Sequence, residues 1–239
     1  MKKLFILAVS AVACVGATYA QSDCSYLFPH DKGTTMTTQC YDAQNHLLGT
    51  TNYLVDENYQ TGMGNNSDIV YSMKDASGNV INAGEIQETC NDDGSIYMKS
   101  KSKAELGDIT KMLSANINLL GSYLDYPDTF DSFDPFSDGF SIDEADLTLS
   151  VKDKSVAPVR VKIYDRKFEK NEHITTPAGT FHATKISYNV DVYNSADKST
   201  ETFKNVEWYN LGKGFIRSES YNKSNQLVNY TVLTALNEK

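Results

Sequence analysis

The chain has no Gly-x-Ser-x-Gly elbow, no glycine-rich phosphate loop and, after its first twenty residues, no continuous apolar run. The first absence removes the usual mark of an α/β-hydrolase nucleophile. The second removes that of a nucleotide-binding loop. The third removes a helical membrane span, which takes about 20 consecutive apolar residues. Positive charge is also scarce: 22 Lys and Arg stand against 31 Asp and Glu, a formal net charge of −9. A surface of that sign repels a phosphate backbone, so DNA and RNA are excluded as expected partners. Histidine is limited to His30, His46, His173 and His182, and cysteine to Cys14, Cys24, Cys40 and Cys90. The cysteines follow no zinc-ligand spacing, and neither a metal nor another cofactor is expected.

What is present begins with an export signal. Lys2 and Lys3 precede an apolar run from Leu4 to about Gly16, with small residues at Thr18 and Ala20. This order reads as a secretory signal peptide, residues 1–20, followed by a single mature domain, residues 21–239. Ala11-Val12-Ala13 ahead of Cys14 is a poor match to a lipoprotein signal. Cleavage removes two further positive charges and Cys14, leaving Cys24, Cys40 and Cys90 in an oxidising compartment. Three thiols leave one over. A Cys24–Cys90 disulfide is expected in preference to Cys40–Cys90, because Cys24 lies outside the first strand pattern and the bridge ties down a loose N-terminus.

After Pro29 one device repeats: a strand-like run, a polar turn, another strand-like run. The turns are YDAQNHL (Tyr41 to Leu47), KDASGNV (Lys74 to Val80), CNDDGSI (Cys90 to Ile96) and YNKSNQL (Tyr221 to Leu227). Asp, Asn and Gly recur in them because they tolerate positive φ and because Asx side chains bond their own backbone. Such spacing predicts an antiparallel sheet of hairpins. Alternation is clearest in KISYNVDVY, where Ile186, Tyr188, Val190 and Val192 share one face and Ser187, Asn189 and Asp191 the other. In ITTPAGTFHATKI (Ile174 to Ile186), Pro177 fixes φ and Gly179 takes conformations other residues resist. That stretch reads as a structural turn between a strand ending near Thr175 and one starting near Phe181.

A single helix is predicted over Glu105–Leu120, where Leu106, Ile109, Leu113, Ile117 and Leu120 recur at steps of three and four. The next segment interleaves Tyr123, Tyr126, Phe130, Phe133, Phe136 and Phe140 with Asp125, Asp128, Asp131, Asp134 and Asp138. Its carboxylate spacing does not fit a calcium loop. It reads as an acidic aromatic loop over residues 122–147, and the six aromatics are the candidate ligand-binding residues.

No catalytic residue is assigned. Acyl transfer needs a nucleophile with a base and an orienting carboxylate, and each of the four histidines falls in a turn or at an exposed strand end. His173 and His182 flank the Pro177–Phe181 turn, which a hairpin would bring near each other, but two imidazoles make at best a weak metal site. Carboxylate pairs of the glycosidase kind can be drawn from any chain this acidic and carry no information. Asn222-Lys223-Ser224 and Asn229-Tyr230-Thr231 match the glycosylation acceptor pattern, which is common by chance.

The run from Tyr164 to Val190, followed by Glu207 to Leu236, resembles a TapB-like family of exported Gram-negative proteins that has carried a domain-of-unknown-function label. The likeness rests on Arg166-Lys167, on Thr176-Pro177-Ala178-Gly179-Thr180-Phe181, on Trp208-Tyr209, and on Gly212 to Gly214 before the last hairpin. Cys24, Phe28-Pro29, Gly33-Thr34 and Cys90 extend it toward the N-terminus. Where relatives carry a cysteine shortly after the Pro-Ala-Gly turn, this chain has Ala183 or Thr184. The acidic aromatic loop also replaces the family's glycine-containing linker. The family is similar in fold to the open half-barrels of LolA-type lipoprotein carriers, which implies a concave sheet able to hold acyl chains.

The expected fold is mainly β: a curved antiparallel sheet, an open half-barrel of hairpins, with one covering helix. The expected function is non-enzymatic: binding of a lipid, another apolar ligand or a lipidated protein in the periplasm or at the outer membrane. The alternative is a module that docks an envelope protein or glycan through the loop at 122–147.

Overall fold

The computed structural model describes residues 28–61, 64–91, 96–102, 124–126, 141–142, 145–149, 159–210 and 212–239. Among these the regular structure is all strand: β1 (Thr35–Asp42), β2 (Leu47–Thr61), β3 (Gly64–Asp75), β4 (Val80–Cys90), β5 (Ile96–Ser102), β6 (Leu124–Tyr126), β7 (Ser141–Ile142), β8 (Ala145–Leu149), β9 (Val159–Thr176), β10 (Gly179–Asn194), β11 (Ser199–Asn210), β12 (Gly214–Asn222) and β13 (Leu227–Asn237). The helix expected over Glu105–Leu120 and the signal peptide lie outside the described residues. No helix among the described residues is long and apolar enough to cross a membrane.

All thirteen strands belong to one antiparallel sheet, in the order β6-β5-β4-β3-β2-β1-β13-β12-β11-β10-β9-β7, with β8 pairing β9. Two meanders, β1 to β6 and β9 to β13, are joined where β1 pairs β13, from Thr35 opposite Asn237 to Asp42 opposite Asn229. The sheet is strongly curled into a half-barrel. Although β10 and β11 stand between them, β9 comes close to both β12 and β13, which a flat sheet does not permit.

The hairpin turns share one geometry. Asp42 Oδ1 accepts the N–H groups of Gln44 and His46, both at 2.8 Å. Asp75 Oδ1 accepts those of Ser77 and Asn79 at 2.9 and 2.8 Å. Asn222 Oδ1 accepts those of Ser224 and Gln226 at 2.9 and 3.0 Å. Three residues after the Asx, Asn45, Gly78 and Asn225 take positive φ, and each ladder shifts register by one at that turn. The fourth expected turn, at Cys90 to Ile96, lies mostly outside the described residues.

Between β9 and β10 the connection is only Pro177-Ala178, with Thr176 opposite Gly179. The strands therefore run further than the expected limits at Thr175 and Phe181. Thr176 Oγ1 accepts the Ala178 N–H at 3.2 Å, and Gly179 has a φ of 140°. The loop expected over 122–147 also contains strand: Leu124–Tyr126, Ser141–Ile142 and Ala145–Leu149 pair in the sheet. In the last of these, Ala145, Leu147 and Leu149 alternate with Asp146 and Thr148, a period of two that the acidic composition of the surrounding segment masked.

The inner face carries one hydrophobic cluster, with Met36, Tyr53, Val55, Ile69, Tyr71, Met73 and Ile86 on the N-terminal meander and Val161, Ile163, Phe168, Ile186 and Val190 on the C-terminal one. Each fully buried side chain of this size contributes about 1.5–3 kcal/mol relative to an exposed one, which makes this face the source of the sheet's stability.

Candidate functional site

Across the junction of the two meanders the inner face turns polar, and strand register shows why. Reading across the sheet, Cys40, Thr231, Ser218 and Glu207 stand directly opposite one another on β1, β13, β12 and β11, ending at Ile186 and Phe168 on β10 and β9. The adjacent row runs Asn229, Ser220, Asn205 and Tyr188. Except for the half-buried Ser218, these polar side chains are buried. A seam of hydrogen-bonding groups thus borders the hydrophobic cluster, which continues across the same strands through Met36, Leu233, Ile216 and Tyr209.

Glu207 is the chemical centre of the seam. Tyr188 Oη donates to its Oε1 at 2.7 Å, and Tyr209 Oη donates to its Oε2 at 3.0 Å. A carboxylate with 5% exposure is tolerated because donors replace the water it lost. Beside it, Ser220 Oγ donates to Asn205 Oδ1 at 2.7 Å. Arg166, one of the residues that carry the family resemblance, is also buried. Further along, Cys40 is a buried free thiol. Burial pushes its pKa up to about 11, only partly offset by a hydrogen bond with Thr231, so it stays protonated and unreactive. Burial likewise raises the Tyr53 phenol, against hydrogen bonds with Thr38 and Thr51 that lower it.

The outer face is polar and internally satisfied. Lys185 lies 3.0 Å from Glu169 and 3.8 Å from Glu172, with its ammonium 5.7 Å from the Trp208 ring centre. Burial pulls the Lys185 pKa down, but Glu169 and Glu172 outweigh it and leave the ammonium raised. Trp208 Nε1 donates to Glu172 at 3.2 Å. Arg217 bonds Glu219 at 2.8 Å and lies over Tyr230, which stacks on Tyr41 at 5.2 Å. These groups occupy one another, so the ladder reads as a stabilised exterior.

The histidines separate into different settings. His173 and His182 are cross-strand partners with ring centres 5.1 Å apart. His30 instead meets a serine: its Nδ1 lies 2.9 Å from Ser67 Oγ. Ser67 is fully buried and donates to Asn58 Oδ1 at 2.7 Å, so its proton is committed and no exposed nucleophile results. Among the described residues no group of three or more His, Cys, Asp or Glu is placed to hold a metal ion. Of the two glycosylation patterns, Asn229 and Thr231 are buried and Asn222 Oδ1 is engaged in its turn, so neither presents a free acceptor.

Of the six aromatics expected to bind ligand, only Tyr126 falls within the described residues, as the last residue of β6 opposite Ile96. Tyr123, Phe130, Phe133, Phe136 and Phe140 lie outside them. Cys90 is disulfide-bonded; Cys40 is free, which rules out the Cys40–Cys90 alternative, and Cys24 lies outside the described residues. The polar seam was not anticipated. Asn205 and Glu207 alternate with Val206 and Trp208, and a simple strand reading sends the polar pair outward. Only the register across five strands turns them inward.

A family model described as DUF3108-like matches residues 31–233. A crystal structure from Bacteroides fragilis, of a protein with a YmcC-like fold inferred to be exported, superposes with a TM-score of 0.75 at 29% identity. It covers 90% of this chain and 100% of its own. An inferred lipoprotein of Parabacteroides distasonis gives the same values. No curated protein matches the chain. The domain-of-unknown-function label implied by the resemblance is found again here, whereas neither the TapB-like name nor the LolA likeness is among these matches.

Proposed function

From the premise that the chain belongs to the DUF3108-like family, we propose that it is an exported, non-enzymatic protein of the periplasm or outer membrane that binds an apolar ligand or a lipidated partner. The observation that carries this reading is the inner face. One hydrophobic cluster borders the buried Tyr188–Glu207–Tyr209 group on a curled sheet, a surface suited to a guest with a hydrocarbon part and a polar end. Export is supported by the two solved relatives, one inferred to be exported and the other a lipoprotein, and by the signal-like first twenty residues. The carrier role is motivated further by the fold-level likeness of the resembled family to LolA-type half-barrels, which speaks for shape rather than activity. Because the inner side chains are buried, a guest must displace whatever shields them in the free protein.

Titration of the delipidated mature protein with fatty acids, phospholipids and acylated peptides tests the proposal. Saturable binding of at least one of these ligand classes is expected. Absence of saturable binding to all three ligand classes sinks it. In that event docking of an envelope protein or glycan through residues 122–147 becomes the better account, and deletion of residues 127–140, which spares the paired strands β6 to β8, should abolish partner capture without unfolding the sheet.

A further inference from the structure

The β9–β10 hairpin carries a histidine pair that the inner-face reading leaves unused. His173 and His182 stand directly opposite each other in the ladder, both exposed, with ring centres 5.1 Å apart and ring planes at 66°. An imidazole nitrogen bound to a metal at about 2.0–2.1 Å places its ring centre about 3.2 Å from the ion. Two such rings at ligand angles of about 90–110° are then about 4.5–5.2 Å apart. The observed separation falls inside that interval, so rotation of the side chains alone can bring one nitrogen of each ring to a shared ion. We propose that His173 and His182 form a bidentate, solvent-open site for a late first-row divalent cation, with Cu²⁺ preferred over Ni²⁺ and Zn²⁺.

The backbone holds the pair ready. The hairpin closes through two residues, Pro177 and Ala178, and Thr175 and Thr180 meet through their hydroxyls at 3.0 Å beside the histidines. On the other side, Asn210 Nδ2 donates to the His182 carbonyl at 2.7 Å and ties β10 to β11 at this point. Little conformational freedom remains to be lost when an ion binds. Imidazole selects nitrogen-seeking transition ions over calcium and magnesium, which take oxygen ligands. The chain's net charge of −9 favours the approach of any cation. Because no third ligating side chain joins the pair among the described residues, water fills the remaining positions. The ion is therefore exchangeable, and its open positions are available to a ligand from a second molecule.

The test is calorimetric titration of the mature protein with CuCl₂ at pH 7.4, paired with electron paramagnetic resonance of the copper-loaded sample. One binding event whose spectrum shows two imidazole nitrogens is expected, and His173→Ala and His182→Ala should each weaken that event at least tenfold. Both variants should keep the wild-type melting temperature in the absence of metal, because the rings are exposed. Absence of binding, or copper binding unchanged in both variants, as at the amino terminus alone, overturns the proposal.

Discussion

At Gly64 a β-carbon would stand 1.9 Å from the Cys90 carbonyl oxygen and 2.9 Å from Asn91 Cα, in a backbone with φ of 132°. Both obstacles are backbone, at Cys90, whose sulfur is tied into the disulfide, and at the residue after it. Gly64→Ala should therefore destabilise the protein by at least about 2 kcal/mol in chemical denaturation; an unchanged midpoint would show that the β3–β4 contact yields freely. His30 supplies the pH response at this scale. Burial lowers its pKa from the ordinary 6.5, and Asp31 raises it only partly. Its Nδ1–H donates to Ser67 Oγ, because the Ser67 hydroxyl is given to Asn58. The unfolded chain thus takes up a proton near pH 6.5 while the folded chain resists until lower pH, so this contribution to stability is lost as pH falls from 7 toward 5. His30→Gln should flatten the fall in unfolding free energy across that window, and an unaltered slope would contradict the assignment. Neither residue was singled out for these roles in the sequence. Gly64 looks like any turn glycine, and the partner of His30 lies 37 residues away.

Turns and strands were far more legible, because their causes are local. The Asx at the start of each turn, the left-handed residue three positions on and the register shift all follow from a few consecutive residues. The sequence motif and the turn geometry are therefore one fact seen twice. Asp75 shows how the turn works: Asn79 Nδ2 donates to its second carboxylate oxygen at 3.0 Å, and the bonds from Asn79 and Ser77 hold its pKa below the ordinary value. Asn222 performs the same backbone task without a charge. Asp75→Asn should accordingly keep most of the thermal stability, whereas Asp75→Ala should lower the melting midpoint by a few degrees. Equal losses in the two variants would show that charge, and not the accepted N–H bonds, sustains the turn. β6, β7 and β8 were hidden for the opposite reason. They are short and acidic in context, and they exist through pairing with β5 and β9, a pairing that even the period of two in β8 does not report.

The two meanders were foreseeable as hairpins, but not their joining through β1 and β13, because that pairing links residues some 200 positions apart. The polar seam lies at this junction and depends on it. A one-residue slip at β1–β13 would break the row from Cys40 through Thr231 and Ser218 to Glu207. The whole-molecule account is that curvature brings the hydrophobic cluster and this seam together to hold a guest. Native mass spectrometry of the mature protein, purified gently from its own envelope fraction, tests it most directly. The account predicts a retained non-protein mass of a few hundred daltons or more. A bare polypeptide mass from every envelope preparation, with protein partners recovered by crosslinking instead, would contradict it.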